Sequence, residues 1–152
     1  MTLQQVLEEA IHKEILAHLL YIGLQQRVKN PASKEAFQSL AEQEEIHQKI
    51  LELYARGQLK EGALSTEMVV DYKIAEHLDQ PEITPVMNLQ EVFLLAANKE
   101  KASHELYQSL AAIHPNGQVK HMLDDLAAQE LEHKRRIETL YTEVAFPQTD
   151  GG

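Results

Sequence analysis

Apolar residues recur along this chain in steps of three and four, the period of a helix with one buried face. Leu7, Ala10, Ala17, Tyr21 and Leu24 form one such stripe, and Phe93, Ala96, Tyr107 and Leu110 another. A third runs through Phe37, Leu40, Leu51 and Tyr54, and a fourth through Leu123, Leu126, Ile137 and Leu140. Helix punctuation brackets each stripe. Thr2 with Gln5 three residues on reads as a capping box, opening a helix to about Val28. Asn30-Pro31 stops it and starts the next, Asn as N-cap and Pro at the first helical position, running to about Arg56 before Gly57. Asn88 with Glu91 opens a third helix ending near Ile113, and the turn His114-Pro115-Asn116-Gly117 leads into a fourth, from about Gln118 to Val144.

Residues 57–87 lie between the second and third long helices. They hold Gly62, a capping Ser65 that opens an expected short helix over 66–78, then Pro81 and Pro85, with no strand signal. Helices of roughly 25 residues are roughly 38 Å long. Short loops make antiparallel neighbours, whereas a connection of this length can run the full bundle and return the chain in parallel. The expected fold is all-α: a ferritin-like four-helix bundle with one long crossover connection between helices 2 and 3.

The chain also repeats itself. With an offset of 86, residues 8–54 match 94–140 without gaps at 15 of 47 positions. Lys13, Glu14, His18 and Tyr21 meet Lys99, Glu100, His104 and Tyr107. Gln43, Glu44 and His47 meet Gln129, Glu130 and His133. Chance matching of Leu, Ala and Glu does not account for paired His and Tyr. The bundle reads as two helical hairpins of one design about a pseudo-twofold axis.

The repeat concentrates chemistry on the apolar stripes. Each half places one Glu in its first helix (Glu14, Glu100) and a Glu-x-x-His in its second (Glu44 and His47, Glu130 and His133). Positions i and i+3 lie within about 60° on a helix, so each pair shares a face. Four carboxylates and two imidazoles therefore point into one core, with no Lys or Arg on the stripes to neutralise them. Buried unpaired carboxylates cost several kcal/mol each. Two hard divalent cations resolve this, with Glu and His as ligands and open positions for oxygen or peroxide. The cofactors expected are two iron ions, with manganese, zinc or mixed metals as alternatives.

Composition narrows the function. The sequence has 152 residues, a formal charge of −10, eight His and no Cys. Disulfides, thiolate clusters and cysteine nucleophiles are excluded. The negative charge argues against nucleic acid and anionic membranes as partners. The acid-rich N-terminus is unlike a signal peptide and no apolar run approaches a membrane span, so a cytoplasmic protein is expected. Residues 1–146 are read as one domain and 147–152 as a flexible tail.

At Ala10-x-x-x-Glu14 with Tyr21, Ala41-x-x-Glu44-x-x-His47, Ala96-x-x-x-Glu100 with Tyr107, and Ala127-x-x-Glu130-x-x-His133, the chain resembles the rubrerythrin branch of the ferritin-like superfamily. The resemblance covers nearly the whole chain. It implies a carboxylate-bridged di-iron centre, often in a homodimer, that reduces hydrogen peroxide or dioxygen and oxidises ferrous iron. Two features depart from the family. Full-length rubrerythrins carry a Cys-rich rubredoxin domain; without Cys, electrons would have to come from a separate donor protein. The family also places a further Glu one turn after the third-helix ligand, where this chain has Ser103, matched by Ala17 in the first half. A di-manganese or mixed-metal oxidase and an iron-sequestering protein without turnover are the alternative readings.

A second tier surrounds these residues. Tyr21 and Tyr107, two turns after their Glu, are placed to hydrogen-bond ligand carboxylates. His18 and His104 lie about 40° round the helix from theirs, as outer-sphere donors, extra ligands or partly buried interhelical side chains. Gln43 and Gln129 point about 100° from the adjacent Glu, towards the surface or an interhelical hydrogen bond. His12, His77, His114 and His121 follow no repeat.

Overall fold

The computed structural model describes residues 1–84 and 87–145. The expected tail, 147–152, lies outside them. Four long helices dominate: α1 (Leu3–Arg27), α2 (Pro31–Ala55), α4 (Leu89–Ile113) and α5 (Gln118–Ala145), with a single turn, α3 (Tyr72–Ala75), in the connection. Their starts follow the chain's own punctuation. Thr2 and Gln5 form the reciprocal capping box, as do Asn88 and Glu91, and Asn30 accepts from the amides of Ala32 and Ser33 with Pro31 at the first position.

The connection differs from expectation. In place of a helix over 66–78, only Tyr72–Ala75 and a 3₁₀ turn at Glu76–Leu78 form. Residues 66–70 instead spend their backbone groups on the start of α1. Leu3 donates to the Met68 carbonyl and Gln4 to that of Thr66, both at 2.8 Å, while Val70 donates to Met1 at 2.7 Å. A single antiparallel bridge, Thr2 with Val69, results.

α1 packs on α2 and α4 on α5, and the two hairpins join along α2 and α5. Cross-bundle bonds fix directions. Tyr21 meets Glu100 while Tyr107 meets Glu14, so α1 and α4 are antiparallel. Gln43 meets His133 while Gln129 meets His47, so α2 and α5 are antiparallel too. It follows that α2 and α4 point the same way.

Two apolar clusters fill the ends of the bundle. One centres on Leu7, Leu51, Leu110 and Leu123, the other on Leu24, Phe37, Phe93 and Ile137. The polar layer lies between them. Among the described residues, no helix is long and apolar enough to cross a membrane.

Candidate metal centre

Each hairpin delivers its acidic side chains from the buried stripe of its helices, so they arrive at mid-bundle from four directions. Glu14, Glu44, His47, Glu100, Glu130 and His133 are at most 3% exposed. They form two groups whose donor atoms lie within 4.8 Å of one another: Glu14, Glu44, His47 and Glu130, and Glu44, Glu100, Glu130 and His133. Glu44 and Glu130 belong to both. Two adjacent cation positions, each with an outer Glu and a His and sharing two carboxylates, are what this arrangement offers.

The imidazoles face the carboxylates through Nδ1. His47 Nδ1 is 2.7 Å from Glu130, 3.7 Å from Glu14 and 3.9 Å from Glu44. His133 Nδ1 is 2.5 Å from Glu44, 3.5 Å from Glu130 and 3.7 Å from Glu100. The two rings stack with centroids 5.4 Å apart. Behind each ring stands the glutamine of the opposite hairpin: Nε2 of His133 donates to Gln43 Oε1 at 2.5 Å, and Nε2 of His47 to Gln129 Oε1 at 2.7 Å. The amide of Gln43 is itself held by Ser39 at 3.2 Å. A proton committed to Nε2 leaves Nδ1 as the nitrogen that faces the carboxylates.

The tyrosines cross the bundle, Tyr21 donating to Glu100 and Tyr107 to Glu14 at 2.6 Å. Burial and the surrounding carboxylates push both phenols well above the ordinary range, which keeps them protonated donors. His18 and His104 do not reach the cluster. Each bonds through Nδ1 to a backbone carbonyl, Ala41 at 2.7 Å and Ala127 at 2.6 Å, three residues before Glu44 and Glu130. They tie α1 to α2 and α4 to α5 at the level of the site.

Charge is the cluster's central problem. Burial, then repulsion from Glu100 and Glu130, pushes Glu44 well up; burial and Glu130 do the same to Glu100. Burial and Glu14 raise Glu130. Burial also works to raise Glu14, but its close neighbours Glu44, His47 and Tyr107 outweigh it and hold Glu14 low. The imidazoles split. Burial opposes charge on His47, yet Glu130 and Glu14 raise it to about 10, whereas burial and charged His47 lower His133 to about 3. One proton lies between Glu44 and His133 Nδ1, 2.5 Å apart, and His47 Nδ1 faces Glu130 and Glu14. Protons stand where cations would. Even so, the buried Glu14 Oε2, His47 Nδ1, Glu100 Oε2 and Glu130 Oε1 make no aligned hydrogen bond. Orphaned buried ligand atoms of oxygen and imidazole type fit divalent metal ions.

A cavity of about 730 Å³ opens between α1 and α4 and reaches Glu14, Glu44, Glu100 and Glu130. Ala17 and Ser103, the small residues one turn from Glu14 and Glu100, line it.

A model of the Rubrerythrin family matches residues 5–141. The chain belongs to the rubrerythrin family. A solved structure from Thermotoga maritima, provisionally described as a ferritin-like diiron-carboxylate protein, superimposes with a TM-score of 0.73 at 26% identity, covering 94% of this chain and 96% of the other. No curated protein matches. The ferritin-like fold is thereby established, and the Glu/His cluster occupies the centre of a rubrerythrin-family bundle.

Outside the cluster, the sequence assigns no role to His114, which proves to be a buried structural link. Leu64 N–H donates to the Tyr54 hydroxyl at 3.2 Å, Tyr54 donates to His114 Nε2 at 2.7 Å, and His114 Nδ1 donates to the Leu110 carbonyl at 2.6 Å.

Proposed function

We propose that the protein is a di-iron carboxylate oxidoreductase that reduces hydrogen peroxide or dioxygen, taking electrons from a separate donor protein. The observation that carries this reading is the pair of ligand groups sharing Glu44 and Glu130 at the floor of a cavity open to small molecules. Glu14, Glu44 and His47, with Glu130, would hold one iron, and Glu100, Glu130 and His133, with Glu44, the other. A ferrous pair so held supplies two electrons to one oxidant molecule. The chain's own residues do the rest. Gln43 and Gln129 hold the imidazoles with Nδ1 inward. Tyr21 and Tyr107 orient the outer carboxylates. The protonated phenols of Tyr21 and Tyr107, hydrogen-bonded to those carboxylates, would supply protons when an oxygen–oxygen bond is reduced. The diiron-carboxylate description of the Thermotoga maritima protein supports iron as the metal.

The test is rapid mixing of the anaerobic, ferrous-loaded protein with hydrogen peroxide, with and without a reductant. Repeated turnover with reductant and loss of peroxide in excess of iron is the expected result. One stoichiometric oxidation, with ferric iron retained and no further turnover, would assign iron sequestration instead.

A further inference from the structure

The internal repeat leads one to expect equivalent outer faces on α1 and α4, and they are not equivalent. The connection covers the α4 face: His77 Nδ1 is 3.3 Å from Glu105 Oε2, and Leu78 is buried. The matching face of α1 is bare, with Leu16 47% and Leu19 56% exposed. The cavity of about 730 Å³ opens between this bare face and residues 77–83. Peroxide or dioxygen needs little more than the ~30 Å³ a water occupies in the liquid. A cavity this size is instead in the range, about 300–1,000 Å³, that holds whole organic ligands.

Its lining says which kind. Leu16, Leu19, Leu20 and Ile83 make apolar walls. Lys13 and Lys99, repeat partners, both line it. Among the described residues neither is in an ion pair, and Glu9, His12 and Glu82 also line the cavity. Two half-buried ammonium groups that line one cavity without a salt-bridge partner are relieved by an anion. Exposed leucines beside them are relieved by an apolar body.

We propose that this cavity binds an unbranched aliphatic carboxylate, its head group between Lys13 and Lys99 and its chain along Leu16, Leu19, Leu20 and Ile83. The ligand would lie over the carboxylate floor and control what reaches it. This binding does not depend on the oxidant or on turnover.

Calorimetric titration of the metal-loaded protein with sodium dodecanoate, kept below its micelle concentration, tests the proposal, with dodecyltrimethylammonium as the cationic control. One saturable dodecanoate site and none for the cation are expected. Lys13→Gln with Lys99→Gln should weaken dodecanoate at least tenfold, and Ala17→Leu, which fills the cavity, should weaken it similarly with the Lys pair intact. Absent saturable binding, equal binding of both amphiphiles, or unchanged affinity in both variants with helical content retained would overturn it. A second copy sealing the rim would show itself as absent binding that Leu16→Glu restores, and would likewise overturn it.

Discussion

Gln43 accepts a 2.5 Å hydrogen bond from Nε2 of His133, a residue of the other hairpin. The repeat makes the same bond again from Gln129 to His47. Each hairpin therefore sets the tautomer of its partner's imidazole. Replacing Gln129 by Leu should weaken metal binding about 10- to 100-fold, the usual effect of losing such a partner. Gln129→Glu, which still accepts, should retain affinity. Chelator competition measures both, and equal affinity in the Leu variant and the wild type would show that the imidazole is held by other means.

Proton linkage gives a second prediction, for the metal-free protein. His47 is raised to about 10 from 6.5, so the folded state holds a proton that the unfolded chain releases. Its stabilising contribution is complete below pH 6.5 and is lost as pH climbs towards 10. Raised Glu44 and Glu100 act in the same direction above the ordinary carboxylate range. Thermal unfolding of the metal-free form should therefore shift to lower temperature between pH 6.5 and 10. Metal loading should remove that trend, because ligation needs the deprotonated groups, and should release protons detectable by calorimetry in buffers of different ionisation enthalpy. A metal-free melting temperature that rises over this range would contradict the proton assignments.

His114 titrates in the opposite sense. Burial, above all, holds it below its ordinary value, so its contribution is present above pH 6.5 and lost as pH falls below it. Tyr54→Phe removes the hydroxyl that joins Leu64 to His114 and should cost ~1–3 kcal/mol. Denaturant unfolding reads this directly, and metal content should be unchanged.

A fourth prediction concerns the connection. Gly62 has a φ of +74°, and a Cβ there would sit 3.2 Å from the Pro115 carbonyl. Gly62→Ala should cost on the order of 1–3 kcal/mol, through backbone strain and displacement of the α4–α5 turn. An unchanged unfolding midpoint would show that the contact yields freely.

The long helices, their caps and the convergence of the six Glu and His residues were legible in the sequence because each follows from local chemistry or from the repeat. Thr2, Asn30 and Asn88 announce helix starts through side-chain hydrogen bonds that span two or three residues. Glu14 and Glu100 could be placed in the core because rotating them outward would expose Tyr21 and Tyr107. What could not be read depends on distant partners. Residues 66–70 avoid the expected helix because Met1–Gln4 claim their backbone groups. Gln43 and Gln129 point about 100° from the adjacent Glu, so periodicity alone could not pair them with imidazoles on another hairpin. Their identity in both halves of the repeat was the available signal. His114 lies outside the repeat and is explained only by Tyr54, 60 residues away.

The central claim is that two metal ions share Glu44 and Glu130. Anomalous scattering from crystals of the iron-loaded protein, collected on both sides of the iron edge, tests it most directly. Two iron peaks at mid-bundle are predicted, each beside one histidine Nδ1, with Glu44 and Glu130 touching both. A single peak, or iron bound away from these carboxylates, would contradict it.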